Sequence, residues 1–294
     1  MSRNLAKKMA ALLGSVLTLA YSLPAFANGI PEAWGIDLQQ PGSPIEARIY
    51  DMHMALLWII SIISVFVLLL LLIVIFRFNK RANPVPSTTA HNVKLEIAWT
   101  LIPCLILIGI ALASFPLLYY SDREPTFDLT LKVTGHQWYW SYEYPDQKVA
   151  FDSHAIWDSS DVTEDQAEKL IADSSKDWII KDKPLRLLEV DNRVVLPAGK
   201  NVKVQIEGGD VEHSWFLPAL AVNRMAVPGR LNQLWLKVDK EGIYYGQCSM
   251  ICGNGHGFMP IVIEAVSPEK FAAWVKSKQA AVGDIAPIQH FAAK

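Results

Sequence analysis

Two cysteines, a histidine and a methionine crowd into one short stretch: Gly246-Gln247-Cys248-Ser249-Met250-Ile251-Cys252-Gly253-Asn254-Gly255-His256-Gly257-Phe258-Met259-Pro260. Thiolate and thioether sulfur are soft ligands that suit copper, and glycines at 253, 255 and 257 let the backbone fold closely around an ion. A mononuclear blue-copper site takes one Cys, two His and a weak axial Met, so the second cysteine implies a second ion. If Cys248 and Cys252 each bridge two coppers, each ion needs one more nitrogen. His256 supplies one. His213, in Asp210-Val211-Glu212-His213-Ser214-Trp215, is the candidate for the other. Such a shared thiolate core would spread an electron over both ions and change shape little on reduction. The competing reading is structural zinc, because two Cys and two His also make a tetrahedral set. Zinc leaves Met259 unexplained, and the cysteine spacing alone does not separate the two.

These residues need a scaffold, and the composition indicates where it sits. Of 294 residues, 51% are apolar, which places the chain among membrane proteins. The third cysteine, Cys104, follows Pro103 in an apolar run and reads as a small hydrophobe. An odd cysteine count with two in one metal-type loop argues against a disulfide framework. Arg3, Lys7 and Lys8, an uncharged stretch from Met9 and then Ala25-Phe26-Ala27 read as a secretory signal, residues 1–27. Pro24 and the short apolar core argue against a third span. Residues 28–53 read as an exported lead-in without a core.

No charge occurs from 54 to 76 or from 97 to 120. Each run can cross a hydrocarbon core of ~30 Å at ~1.5 Å per residue, so 54–120 is predicted to be a transmembrane helical hairpin. Arg77, Lys80, Arg81 and Lys94 against the single acid Glu96 make its connection cytoplasmic. Both mature termini then face the other side. Pro103 and Pro116 are tolerated where neighbouring helices cover the freed carbonyls, which points to a larger membrane partner.

After Tyr120 the texture becomes short alternating runs at 127–133, 185–190, 202–206, 234–238 and 259–266, separated by Pro, Gly, Asn and Asp. This predicts an antiparallel sandwich or barrel over 121–266. An acidic, partly helical insertion at 154–184 interrupts the rhythm. Residues 267–294 read as a terminal amphipathic helix, starting at Pro268, and a tail. From 121 to 266 there are 22 Asp and Glu against 15 Lys and Arg, an excess of seven acids. A basic partner is implied. No phosphate-cradling glycine loop and no basic tract for nucleic acid is present.

The chain closely resembles subunit II of cytochrome c oxidase of the bacterial and mitochondrial haem-copper type. The resemblance rests on Gln40-Pro41-Gly42-Ser43-Pro44, Leu95-Glu96-Ile97-Ala98-Trp99-Thr100, Gly135-His136-Gln137-Trp138-Tyr139-Trp140-Ser141-Tyr142-Glu143-Tyr144, His213-Ser214-Trp215, Ala226-Val227-Pro228-Gly229-Arg230 and the copper loop. It implies a two-helix hairpin followed by an all-β cupredoxin-like sandwich with a binuclear CuA centre. By position the ligands are His213, Cys248, Cys252, His256, Met259 and the main-chain carbonyl of Met250.

The resemblance also implies that electrons arrive from cytochrome c at Trp138 and pass to haem a in subunit I, where oxygen is reduced and protons are pumped. Subunits I and III would be its membrane partners. The setting would be a bacterial inner membrane with the sandwich periplasmic. Glu143, Asp152, Asp191 and Asp210 match acidic docking positions, although ordinary solvated acids look the same. Glu96 would stand at the mouth of a proton channel, while as a plain helix-terminal carboxylate it would favour the helix dipole. Trp138 itself heads a run that alternates like a packed strand.

Two positions depart from the family pattern. Met250 replaces a Glu whose carboxylate helps hold Mg or Mn at the boundary with subunit I, and Met225 replaces a common Asp. A hard dication prefers oxygen, so that site is expected to be weak or absent while copper, using a backbone carbonyl, survives. A quinol oxidase subunit would lack the copper ligands, a copper carrier would not need Trp138 or Glu96, and nitrous-oxide reductase requires a large further domain.

Overall fold

The computed structural model describes residues 29, 35, 37–156 and 187–283. The expected signal at 1–27, residues 157–184 of the expected insertion and the tail beyond 283 lie outside the described residues.

Two long helices come first, α1 (Pro44–Arg77) and α2 (Val93–Asp122). Both outrun their uncharged stretches because their caps lie outside the apolar part. Ser43 Oγ accepts from the Glu46 N–H, with Pro44 at the first position. Asn92 Oδ1 accepts from the Leu95 N–H, and Glu96 Oε1 takes the Asn92 N–H in return. Residues 44–53, expected to be lead-in, therefore form the opening turns of α1. The apolar windows of both helices are unburied within the chain. Cys104 is exposed on α2.

The remainder is a two-sheet sandwich. Its strands are β1 (Leu129–His136), β2 (Tyr139–Tyr144), β3 (Val149–Ser153), β4 (Val194–Pro197), β5 (Asn201–Gly208), β6 (His213–Leu217), β7 (Val222–Ala226), β8 (Asn232–Lys237), β9 (Gly242–Cys248) and β10 (Pro260–Val266), followed by helix α3 (Pro268–Gly283). One sheet has the order β3-β2-β1-β5-β8 and the other β4-β10-β9-β6-β7. Strict alternation in β1 and β5 sends Leu129, Leu131, Val133, Val202, Val204 and Ile206 inward.

The expectation of a purely antiparallel arrangement needs correction. β1 pairs β5, and β4 pairs β10, in parallel. Each parallel pair joins strands far apart in sequence, so the chain changes sheet before it returns. Every residue of β4 and β10 is buried, as is usual for parallel strands covered on both faces. Val262 of β10 packs in a second apolar cluster with Val190, Ile243 and Tyr245. The strand expected at 185–190 does not form in its described part. Leu187 adopts φ 64, which breaks an extended run, and only Val190 bridges, to Ala155.

β2 points three large rings inward, and each finds a partner for its polar atom. Trp140 Nε1 donates to the Met259 carbonyl (3.2 Å), Tyr142 Oη accepts from Trp215 Nε1 (3.3 Å), and Tyr144 Oη donates to the Val195 carbonyl (2.9 Å). From α3, Trp274 packs edge-on against Tyr144 and Phe151.

The hairpin is tied to the sandwich by main-chain bonds around Gly42. Its N–H donates to the Ala219 carbonyl (2.8 Å), and its carbonyl accepts from the Asp239 N–H (3.0 Å). A Cβ there would fall 2.3 Å from the Tyr244 ring. Arg48 of α1 lies over the Tyr120 ring of α2, while Arg123 covers both Tyr120 and Trp235.

Gly246 of β9 tests the closeness of this packing, since a Cβ would lie 2.1 Å from the Phe216 carbonyl oxygen, a backbone atom. Gly246→Ala is expected to cost at least about 1–3 kcal/mol, the usual range for overpacking. Thermal unfolding of the variant at the wild-type temperature would contradict this packing.

Candidate metal centre

β9 ends at Cys248 and β10 starts at Pro260, and the two strands pair with Gln247 opposite Pro260. The ends of the intervening loop are therefore fixed. Inside it the chain bends at Gly253, whose φ of 120° favours glycine, and makes a short helical turn at His256–Phe258. β6 lies beside β9 with Trp215 opposite Cys248, which brings His213 to the loop.

The sulfurs converge. Cys248 Sγ and Cys252 Sγ are 3.9 Å apart, too far for a disulfide at ~2.05 Å. Cys252 Sγ lies 3.6 Å from His256 Nδ1 and 3.5 Å from Met259 Sδ, and Cys248 Sγ lies 3.2 Å from the Met250 carbonyl oxygen. Ligand atoms of His213, Cys248 and Cys252 all fall within 4.8 Å of one another. His213 is wholly buried, and its Nδ1 has no hydrogen-bond partner. An unsatisfied buried polar atom costs roughly 1–3 kcal/mol. A soft cation among these donors would satisfy it, so the residues present fit a copper centre.

Charge is unevenly shared between the thiols. Burial raises Cys248, but the His213 imidazole and the main chain of Ser214 and Met250 outweigh it and bring the thiol down to about 7. Burial and then the neighbouring Cys248 thiolate push Cys252 up. The first proton of the pair leaves easily and the second is held.

A second layer fixes this cluster. Asp210 Oδ1 bonds His213 Nε2 at 2.8 Å, and its Oδ2 accepts from the Gln137 N–H at 2.7 Å. Gln137 Nε2 (2.8 Å) and Trp138 Nε1 (3.2 Å) both donate to the Cys252 carbonyl. Trp138 sits in the β1–β2 turn and is 37% exposed, outside the inward alternation that follows it. A Cβ on Gly255 would lie 2.4 Å from its ring, and one on Gly135 would lie 2.9 Å from His213. Asn223 Oδ1 accepts from Ser214 Oγ (2.8 Å) and Ser249 Oγ (3.3 Å), bracing the start of the loop.

Gln137, Trp140, Gly135 and Asn223 were not singled out from sequence. The first three lie in the quoted Gly135–Tyr144 motif, but nothing in their types points to His213 or to a loop more than a hundred residues away. Of the acids, Glu143 and Asp152 are exposed on neighbouring strands, where Asp152 accepts from Ser141 Oγ (2.6 Å). Asp191 is exposed but accepts from the His154 and Asn192 N–H groups. Asp210 spends both oxygens inside the centre. Glu96 lies apart on α2 as a capping carboxylate. Met225 lies on β7 opposite Ser214, and Met250 is half-buried.

A sulfur-rich cluster at one end of a two-sheet sandwich, carried on two long apolar helices, defines a membrane-anchored cupredoxin-like protein with a candidate metal site. The chain belongs to the cytochrome c oxidase subunit II family. It matches "Cytochrome C oxidase subunit II, periplasmic domain" over 129–266 and "Cytochrome C oxidase subunit II, transmembrane domain" over 31–117. The probable cytochrome c oxidase subunit 2 of Rickettsia prowazekii (strain Madrid E) is 46% identical over 89% of this chain and 79% of that protein. Cytochrome c oxidase subunit 2 of Cereibacter sphaeroides is 39% identical over 95% and 92%. Among solved structures, the periplasmic domain of subunit II of cytochrome oxidase of Bradyrhizobium japonicum is 44% identical with a TM-score of 0.44, covering 53% of this chain and 97% of that one.

The uneven thiols can be checked by following thiolate absorbance against pH in the metal-free protein. One thiolate should form near pH 7 and the second only under strongly alkaline conditions. Two equal ionisations near the ordinary cysteine value of ~8.5 would rule out the coupling.

Proposed function

We propose that this chain is the electron-accepting subunit of a haem-copper oxidase, holding a binuclear CuA centre and delivering electrons from cytochrome c to haem a of subunit I. The observation that carries this reading is the double hydrogen bond from Gln137 and Trp138 to the Cys252 carbonyl. It joins a partly exposed indole to a ligand residue with no intervening side chain.

His213, Cys248, Cys252, His256, Met259 and the Met250 carbonyl would hold the two coppers, which when bound supply a one-electron store that reorganises little. Trp138 presents its ring to the donor protein. Glu143, Asp152 and Asp191 give the rim a negative field that steers a basic cytochrome c in a salt-dependent way, while Asp210 orients His213. The oxygen chemistry and proton pumping belong to subunit I, with subunit III alongside. Glu96 would stand where protons enter from the cytoplasm, and the sandwich would face the periplasm of a bacterial inner membrane. The Met250 thioether offers Mg or Mn no hard oxygen, so that neighbouring site is weak or absent.

Metal analysis of the purified complex should give two coppers in this chain with a mixed-valence electron spin resonance signal. A spectroscopically silent zinc site would overturn the reading. Stoichiometric Mg or Mn at Met250 would overturn its second part. Trp138→Phe should slow electron transfer from cytochrome c by at least about tenfold, ~1.4 kcal/mol on the barrier, with KM little changed. If KM rises and the rate holds, Trp138 is a docking residue and not the electron-receiving ring.

A further inference from the structure

Where α2 runs into the sandwich, a cavity of about 270 Å³ opens between the linker and the β5–β8 edge. Arg123, Lys203 and Arg224 line it together with Asp122 and Glu124. Among the described residues none of the three cations is paired with a carboxylate. Glu124 is engaged by the Gln233 side-chain amide. Arg123 lies 4.1 Å from the Tyr120 ring centre and 4.7 Å from that of Trp235, contacts that place a guanidinium without neutralising it. Arg224 Nε is buried with no hydrogen-bond partner. A buried guanidinium nitrogen calls for an acceptor oxygen.

The position of the cavity indicates which acceptor. α2 ends at Asp122, directly after its uncharged run. Tyr119 is 75% exposed there, and Tyr120 and Trp235 stack edge to face beside it. Trp, Tyr and Arg at the end of a spanning helix mark the headgroup level of a bilayer. Just below, Phe115 and Leu118 are exposed on α2, a surface along which acyl chains can lie.

We propose that this cavity binds the phosphate of an anionic phospholipid headgroup, with Arg224 and Lys203 as its principal donors and Arg123 at the rim. Phosphate oxygens accept forked guanidinium bonds well. Free phosphate has the same chemistry but no use for the apolar helix below. The assignment does not depend on the metal reading.

The test uses the intact oxidase complex purified in detergent, with retained phospholipid counted by mass spectrometry. The wild type, a Lys203→Gln/Arg224→Gln double variant, Arg224→Lys and the remote control Lys148→Gln would be compared. The expected result is one tightly held anionic phospholipid in wild type and control, near none in the double variant and partial recovery in Arg224→Lys. Equal retention in all four overturns the proposal. So does saturable binding of inorganic phosphate by a wild type that keeps no lipid, which makes the cavity a free-anion site. Loss of the partner subunits from the double variant on a native gel also overturns it, because the cations would then serve a subunit contact.

Discussion

Two buried sulfurs held 3.9 Å apart set the terms for everything around them. Two thiolates at that separation repel by ~4 kcal/mol even at an effective dielectric of about 20. Burial and this repulsion together raise Cys252, while the His213 imidazole and the main chain of Ser214 and Met250 lower Cys248. A structure that holds them together regardless must resist relaxation, and the resistance is visible. Both ends of the loop are strand ends, its first residue is bonded to β6 through Ser214, and Met259 is clamped through its carbonyl by Trp140.

The same need explains the concentration of polar contacts on two acceptors. Asp210 serves a ligand with one oxygen and the β1–β2 turn with the other, and the Cys252 carbonyl collects two N–H groups from that turn. Trp138, His213 and Cys252 are thereby tied together through two acceptors. For the role proposed for Trp138, the bond to the Cys252 carbonyl holds its ring against the loop that carries both cysteines. Of the four acids singled out in the sequence, Asp210 is thus the one whose two oxygens are both engaged at the cluster.

The parts legible in sequence were those encoded by residue type. Uncharged runs marked the two helices, alternation marked β1 and β5, and soft ligands marked the loop. What escaped was encoded by tertiary contact. Helix α1 begins ten residues before its apolar run because Ser43 and Pro44 cap it, a signal that hydropathy ignores. The parallel pairs β1–β5 and β4–β10 depend on where the chain crosses between sheets, which local pattern cannot report. Gln137 escaped notice because its partner, the Cys252 carbonyl, lies 115 residues further along the chain. Leu187, in an expected strand, turns left-handed, a conformation that residue type does not announce.

Met250 shows how one position can carry two separable roles. Its carbonyl direction is fixed by the loop, so the side chain can change without moving the oxygen that faces Cys248. Met225 stands opposite Ser214 on β7, and the Ser214 carbonyl accepts from the Ser249 N–H, the residue before Met250. The two methionines are therefore linked through a short bridge of adjoining backbone. Main-chain atoms alone make that bridge, so either side chain can be replaced without breaking it.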